Sequence, residues 1–124
     1  MTDIQKGSCV WYIPDGYIPP LSSGTLESHE SICVLNCYQQ NANLKITIYF
    51  EDRDPIEQIP FVVKGKRTSH IRTSTLEKDG QRIPKEVPYA IEVESDVPII
   101  VQYSRLDSTQ QELALMSTMG HPLA

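Results

Sequence analysis

Two short stretches bring together side chains able to grip a polar ligand. Ser28-His29-Glu30 sets an imidazole beside a carboxylate, and Arg67-Thr68-Ser69-His70-Ile71-Arg72 interleaves cations with hydroxyls. In an extended strand Thr68, His70 and Arg72 point the same way. Such a face suits an anion, a carboxylate or a polyol, because the arginine fork matches planar acceptors with two parallel hydrogen bonds. The alternative is a solvated strand face paired with acids such as Glu51 and Asp52. Trp11, Tyr12 and Tyr17 add aromatic surface. Ring faces pack on the C–H faces of sugars while polar neighbours fix the hydroxyls, although a single Trp in a small domain also serves a core.

Other chemistries find less support. His29, Glu30 and His70 make a metal set on paper, but their spacing is not diagnostic. Cys9, Cys33 and Cys37 are an odd set without a secretory signal, which argues against a disulfide framework. In an extended segment Cys33 and Cys37 lie about 13 Å apart, beyond bridging, and small buried thiols are the simple reading. Gly65-Lys66-Arg67-Thr68 lacks the upstream glycine of a phosphate loop and links two strands where that motif needs a helix. There is no G-x-S-x-G elbow. Asp52 and Asp54 fall in the exposed-looking turn Glu51-Asp52-Arg53-Asp54-Pro55, where solvation explains them. The residues therefore point to no enzyme, no cofactor and no metal.

The elements that must carry these residues read as strands, because the apolar period is two. In Leu44–Phe50, Leu44, Ile46, Ile48 and Phe50 share one face and Lys45, Thr47 and Tyr49 the other, a half-buried antiparallel strand. Ser31–Asn36 is a nearly continuous apolar run, and the polar Gln39–Asn43 between them predicts a hairpin. Further strands are expected at Ser8–Ile13, Phe61–Lys64, Thr68–Thr73, Tyr89–Glu94 and Ile99–Leu106. Most of the 9 prolines fall between these runs, as they should, since proline cannot donate to a ladder. Ser108–Met116 is rich in helix formers, with Ser108 and Gln111 as a capping box, and predicts a short helix ended by Gly120 and Pro122. Two long loops, Pro14–Glu30 and Ser74–Pro88, stand out as functional candidates.

Composition bounds the rest. At 124 residues with 40% hydrophobic content, the chain fits one self-supporting domain, 1–124. A net charge of -5 weakens any grip on nucleic acid or an anionic membrane through bulk charge. The N-terminus lacks an apolar run of the secretory kind, and Val97–Val101, the longest strongly apolar stretch, is far too short to span a membrane, so the cytoplasm is the expected compartment.

Read in order, Asp15-Gly16-Tyr17-Ile18-Pro19-Pro20, Ser28-His29-Glu30, Ile46-Thr47-Ile48-Tyr49, Arg67–Arg72 and Asp96–Gln102, then Ser104-Arg105-Leu106-Asp107 and Ala114–Thr118, resemble the soluble sensory rhodopsin transducer family, first known from a cyanobacterium. The likeness runs from about Gly7 to Thr118. It implies a small β-sandwich in a ring-like homotetramer, cytoplasmic and without enzymatic activity. For the best-known member it implies a membrane photoreceptor as partner, with DNA binding also suggested. For relatives in bacteria without rhodopsins it implies sensors of sugars or related metabolites. Carried onto this chain, the ligand-binding residues are Tyr17, His29, Glu30, Arg67, His70 and Arg72. Asp15 stands where a relative has Glu, and Cys37 and the tail after Thr118 depart from the family. The combined expectation is an all-β antiparallel sandwich of about seven to eight strands with a short C-terminal helix. It binds a sugar-like small molecule and signals through a protein partner. The alternative is an adaptor docking on a membrane photoreceptor. Nucleic acid is a less favoured third partner.

Overall fold

The computed structural model describes residues 4–18, 29–107 and 114–123. The strands are β1 (Ser8–Gly16), β2 (His29–Asn36), β3 (Ala42–Phe50), β4 (Ile56–Val63), β5 (Arg67–Arg72), β6 (Glu77–Lys78), β7 (Gln81–Arg82), β8 (Tyr89–Asp107), β9 (Ala114–Met119) and β10 (His121–Pro122). Every main pairing is antiparallel.

The organising element is β8, 19 residues long. Its first half lies between β1 and β3, and its second half between β2 and β9. One half-sheet thus runs β10-β1-β8-β3-β4 and the other β5-β2-β8-β9. They face each other as a sandwich over one core, in which Ile32, Val34, Ile46, Ile48, Ile99 and Val101 are fully buried. The strand changes sheet near Asp96-Val97-Pro98, where the register to β1 shifts between Ser8 and Val10. There the Ser95 hydroxyl donates to the Val97 carbonyl at 2.7 Å, and Asp96 accepts from the backbone and side chain of Asn43, both at 2.8 Å. These bonds satisfy the backbone that the bend frees.

This long strand corrects three expectations. Tyr89–Glu94 and Ile99–Leu106 are not separate strands; Pro98 marks the bend and does not end the strand. Nor do Ser31–Asn36 and Leu44–Phe50 form a hairpin: β2 and β3 each pair with a different half of β8. The link between them crosses the sandwich, organised by buried Asn36, whose amide donates to Gln40, Val63 and Lys64 carbonyls. Finally, no helix covers Ala114–Met116. Residues 108–113 lie outside the described ones, and from Ala114 on the chain is β9, where cross-strand bonds to β8 outweigh the weak local helix preference.

The remaining irregular region, Ser74–Pro88, packs Leu76 and Ile83 into the core around the small β6–β7 hairpin. Its turn uses Asp79 and Gly80 at φ 53° and 78°, the left-handed pair that a two-residue hairpin demands. Among the described residues no helix is long and apolar enough to cross a membrane.

Candidate functional site

The pleat of β2 decides where its polar residues go. Ile32 and Val34 face the core, and Glu30, two residues earlier, shares their side. Its carboxylate is 1% exposed. A buried carboxylate is tolerable only when its lone pairs are filled, and here they are. The Tyr17 backbone N–H donates to both oxygens at 2.9 and 3.1 Å. Arg105, its direct cross-strand partner on β8, donates through Nε at 2.6 Å. The hydroxyls of Tyr89 and Tyr103 donate to one oxygen each. Thr73 completes the cluster, bonding the Glu30 carbonyl at 3.2 Å and the Tyr89 hydroxyl at 3.0 Å. Among the described residues no buried side-chain polar atom lacks a partner.

The electrostatics follow from this packing. Burial, and then the charge and hydrogen bond of Glu30, push the Tyr89 phenol well above its ordinary value. Burial and the Glu30 hydrogen bond do the same for Tyr103. Burial works against the Arg105 charge, but hydrogen bonds to Glu30 and Tyr103 outweigh it and hold the guanidinium firmly protonated. The Arg105 guanidinium also lies 6.0 Å from the centre of the Tyr103 ring. Gly16 makes room for the assembly: it pairs with Tyr89 in register, and a Cβ there would fall 2.6 Å from the Tyr89 ring.

Arg105 is partly exposed, and with the almost fully buried Tyr103 it borders a hollow. They line a cleft of about 370 Å³ together with residues of β1, β9 and β10. Tyr12, Asp15, Met116, Thr118 and His121 complete its polar and apolar walls. A hydrogen bond to Glu92, its cross-strand partner on β8, raises the Tyr12 phenol. The cleft therefore offers a guanidinium, a hydroxyl, an imidazole and a carboxylate beside apolar Ile13, Met116 and Met119. That combination can hydrogen-bond a small polar ligand over a partly apolar surface. Two other hollows are built differently. One of about 290 Å³ lies beside Tyr89 and Phe50, and one of about 410 Å³ lies among Arg53, Asp54 and Arg82.

The residues singled out from sequence divide between two places. Glu30 and the Tyr17 backbone belong to the buried cluster behind the cleft. His29 opens β2 opposite Leu106, and its side chain lies outside the described residues. Arg67, His70 and Arg72 are exposed on β5. His70 and Arg72 pair in register with Cys33 and Ser31, on the face of β2 opposite to Glu30. The expected hollow joining Glu30 to Arg67, His70 and Arg72 is therefore not assembled: His70 and Arg72 point to the opposite face, and Arg67 pairs with Asn36 at the far end of β2. The site instead draws on Tyr89, Tyr103, Arg105, Thr118 and His121, which sequence reasoning missed. The one available signal was parity: Tyr103 and Arg105 continue the core-facing alternation of Ile99 and Val101. Trp11 is core, donating its indole N–H to the Ile99 carbonyl at 2.9 Å. Cys9, Cys33 and Cys37 are free thiols. Among the described residues no group of three or more His, Cys, Asp or Glu could hold a metal ion.

Comparison with known proteins gives a consistent picture. The family model described as Anabaena sensory rhodopsin transducer matches residues 6–122. The crystal structure of Thermotoga maritima 1070 superposes with a TM-score of 0.86 at 38% identity, covering 96% of this chain and 97% of that one. The Anabaena sensory rhodopsin transducer superposes with a TM-score of 0.75 at 39% identity, covering 85% of this chain and 93% of its own. No curated protein sequence matches.

Proposed function

Since this chain belongs to the Anabaena sensory rhodopsin transducer family, we propose that it is a non-enzymatic sensor that binds a sugar-like small molecule in the cleft and signals through a protein partner. The observation that carries this reading is the cleft itself, where Asp15, Arg105, Thr118 and His121 line one hollow. The polar groups can satisfy hydroxyls while Ile13, Met116 and Met119 offer apolar surface to C–H groups. Arg105 and Tyr103 are held in place by Glu30, so the donors are pre-positioned and little ordering is needed on binding. A cytoplasmic location and assembly as a homotetramer belong to the same proposal. Arg67, His70 and Arg72 have no part in the cleft.

Calorimetry against a panel of neutral sugars and sugar acids tests it. Binding of at least one, lost in Tyr12→Ala and in Thr118→Val, supports the reading. No heat with any compound, or heat unchanged in both variants, refutes it.

A second reading is a soluble adaptor that docks on a membrane photoreceptor. It is favoured by the likeness to a protein named as a sensory rhodopsin transducer. Co-purification with a rhodopsin from the same cell, unaffected by any sugar, is the result that would prefer it.

A further inference from the structure

We propose that the free edge of β5 is a docking site for an extended acidic peptide, which adds to the half-sheet as another strand. The proposal does not rest on the cleft. Among the described residues β5 pairs with β2 alone, so its other edge presents unpaired backbone N–H and C=O groups. Its pairing to β2 is unbroken from Asn36 opposite Arg67 to Ser31 opposite Arg72, with no bulge and no proline. The outer edge of β4 is different. It carries Pro60, has Gln58 at φ 60°, and lies beside a register shift between Ile46 and Ile48. Those are devices that blunt an edge, and β5 has none of them.

What β5 has is charge of one sign. Lys64, Lys66, Arg67, His70 and Arg72 are all exposed, and no Asp or Glu occurs from Gln58 to Leu76. The face that continues from β5 is neutral: Cys33 and Gln102 lie in the His70 row, and Ser31 and Ser104 in the Arg72 row. In a chain of net charge -5 this is a cationic strip set against the general field. It therefore selects for an acidic partner and against another copy of itself. Two β5 edges meeting antiparallel would set this strip against its own copy, which like charges oppose. A peptide fits better than a polynucleotide, because only another backbone matches alternating donors and acceptors along an edge. The partner segment has Asp or Glu at alternate positions facing His70 and Arg72, and small or apolar residues between them.

The test uses the whole protein and a labelled synthetic peptide of about eight residues alternating Glu and Val, long enough to cover one strand. Titration is followed by anisotropy and by amide NMR shifts. The expected result is saturable binding with shifts confined to β5 and its flanks. Affinity should fall by about tenfold in a doubly substituted His70→Gln, Arg72→Gln variant whose fold is checked by circular dichroism. A Lys-Val peptide, and the Glu-Val peptide N-methylated at alternate residues, should not bind. Equal binding of the N-methylated peptide would mean diffuse charge attraction and overturn strand addition. So would tighter binding of a single-stranded oligonucleotide, or self-association through β5 that excludes the peptide.

Discussion

Two neighbouring rows of one half-sheet treat arginine in opposite ways. In the first, Glu30 faces Arg105, and in the next Ser31 faces Arg72. Arg105 is three-quarters covered, bonded to a fully buried carboxylate and stacked near a tyrosine. Arg72, on the edge strand, is exposed. The residue type is the same and the positions along β2 differ by one. The pleat sends one row into the space between the half-sheets and the other into solvent, and dielectric does the rest. The inner arginine becomes part of a structural cluster that lines a cleft, and the outer one remains a free charge for partners.

The largest expected effect tests the inner row. Glu30→Gln leaves Arg105 without its counter-ion and replaces the acceptor of one of the two tyrosines by an N–H donor. Urea unfolding should show a loss of about 3–5 kcal/mol. A loss below about 1 kcal/mol would show that the buried cluster carries no more stability than an exposed ion pair.

Next come Gly16→Ala and Tyr103→Phe. The first drives a methyl into the Tyr89 ring, and should cost about 1–3 kcal/mol as overpacking does. The second removes one donor to Glu30, with a similar loss of about 1–3 kcal/mol. Combined with Glu30→Gln, Tyr103→Phe should add much less than its single-variant cost, because both break the same network.

A smaller effect appears with pH. The Tyr89 and Tyr103 phenols are both raised above their ordinary value of 10.0. A group raised on folding contributes stability that is complete below its unfolded value and is lost as pH rises from there toward the folded value. Stability should therefore hold level on account of these groups up to about pH 10 and then fall. Tyr89→Phe should flatten that alkaline fall in a denaturation series. An unchanged slope would remove Tyr89 from the cluster's energetics.

The smallest effect is at the outer row. Arg72→Gln and Arg67→Gln should each alter stability by no more than about 0.5 kcal/mol. A larger loss would mean that these side chains hold the fold together, and would erase the contrast with Arg105.

The alternation in Leu44–Phe50 and the placement of prolines were enough to read a sheet protein, because burial on one face imposes a period of two. The family was also legible, through short segments spread along the chain. The candidate site was legible only in part. Glu30 was singled out for its neighbour His29, yet its partners are Tyr17, Tyr89, Tyr103 and Arg105, up to 75 positions away. Alternation alone marks Tyr103 and Arg105 as core-facing, and nothing local shows that they meet Glu30. The helix expected over Ser108–Met116 failed at Ala114–Met116 for the same reason: a weak local preference was overridden by a strand partner that only the fold supplies.

The sequence by itself determined the strand content, the family and the cationic run from Lys64 to Arg72, since these depend on composition and local period. The tertiary structure decided that β8 serves both half-sheets, that Glu30 turns inward while Arg72 turns outward, and that Tyr103 and Arg105 line a cleft. Those outcomes depend on register between distant strands, which is fixed by packing the whole core at once.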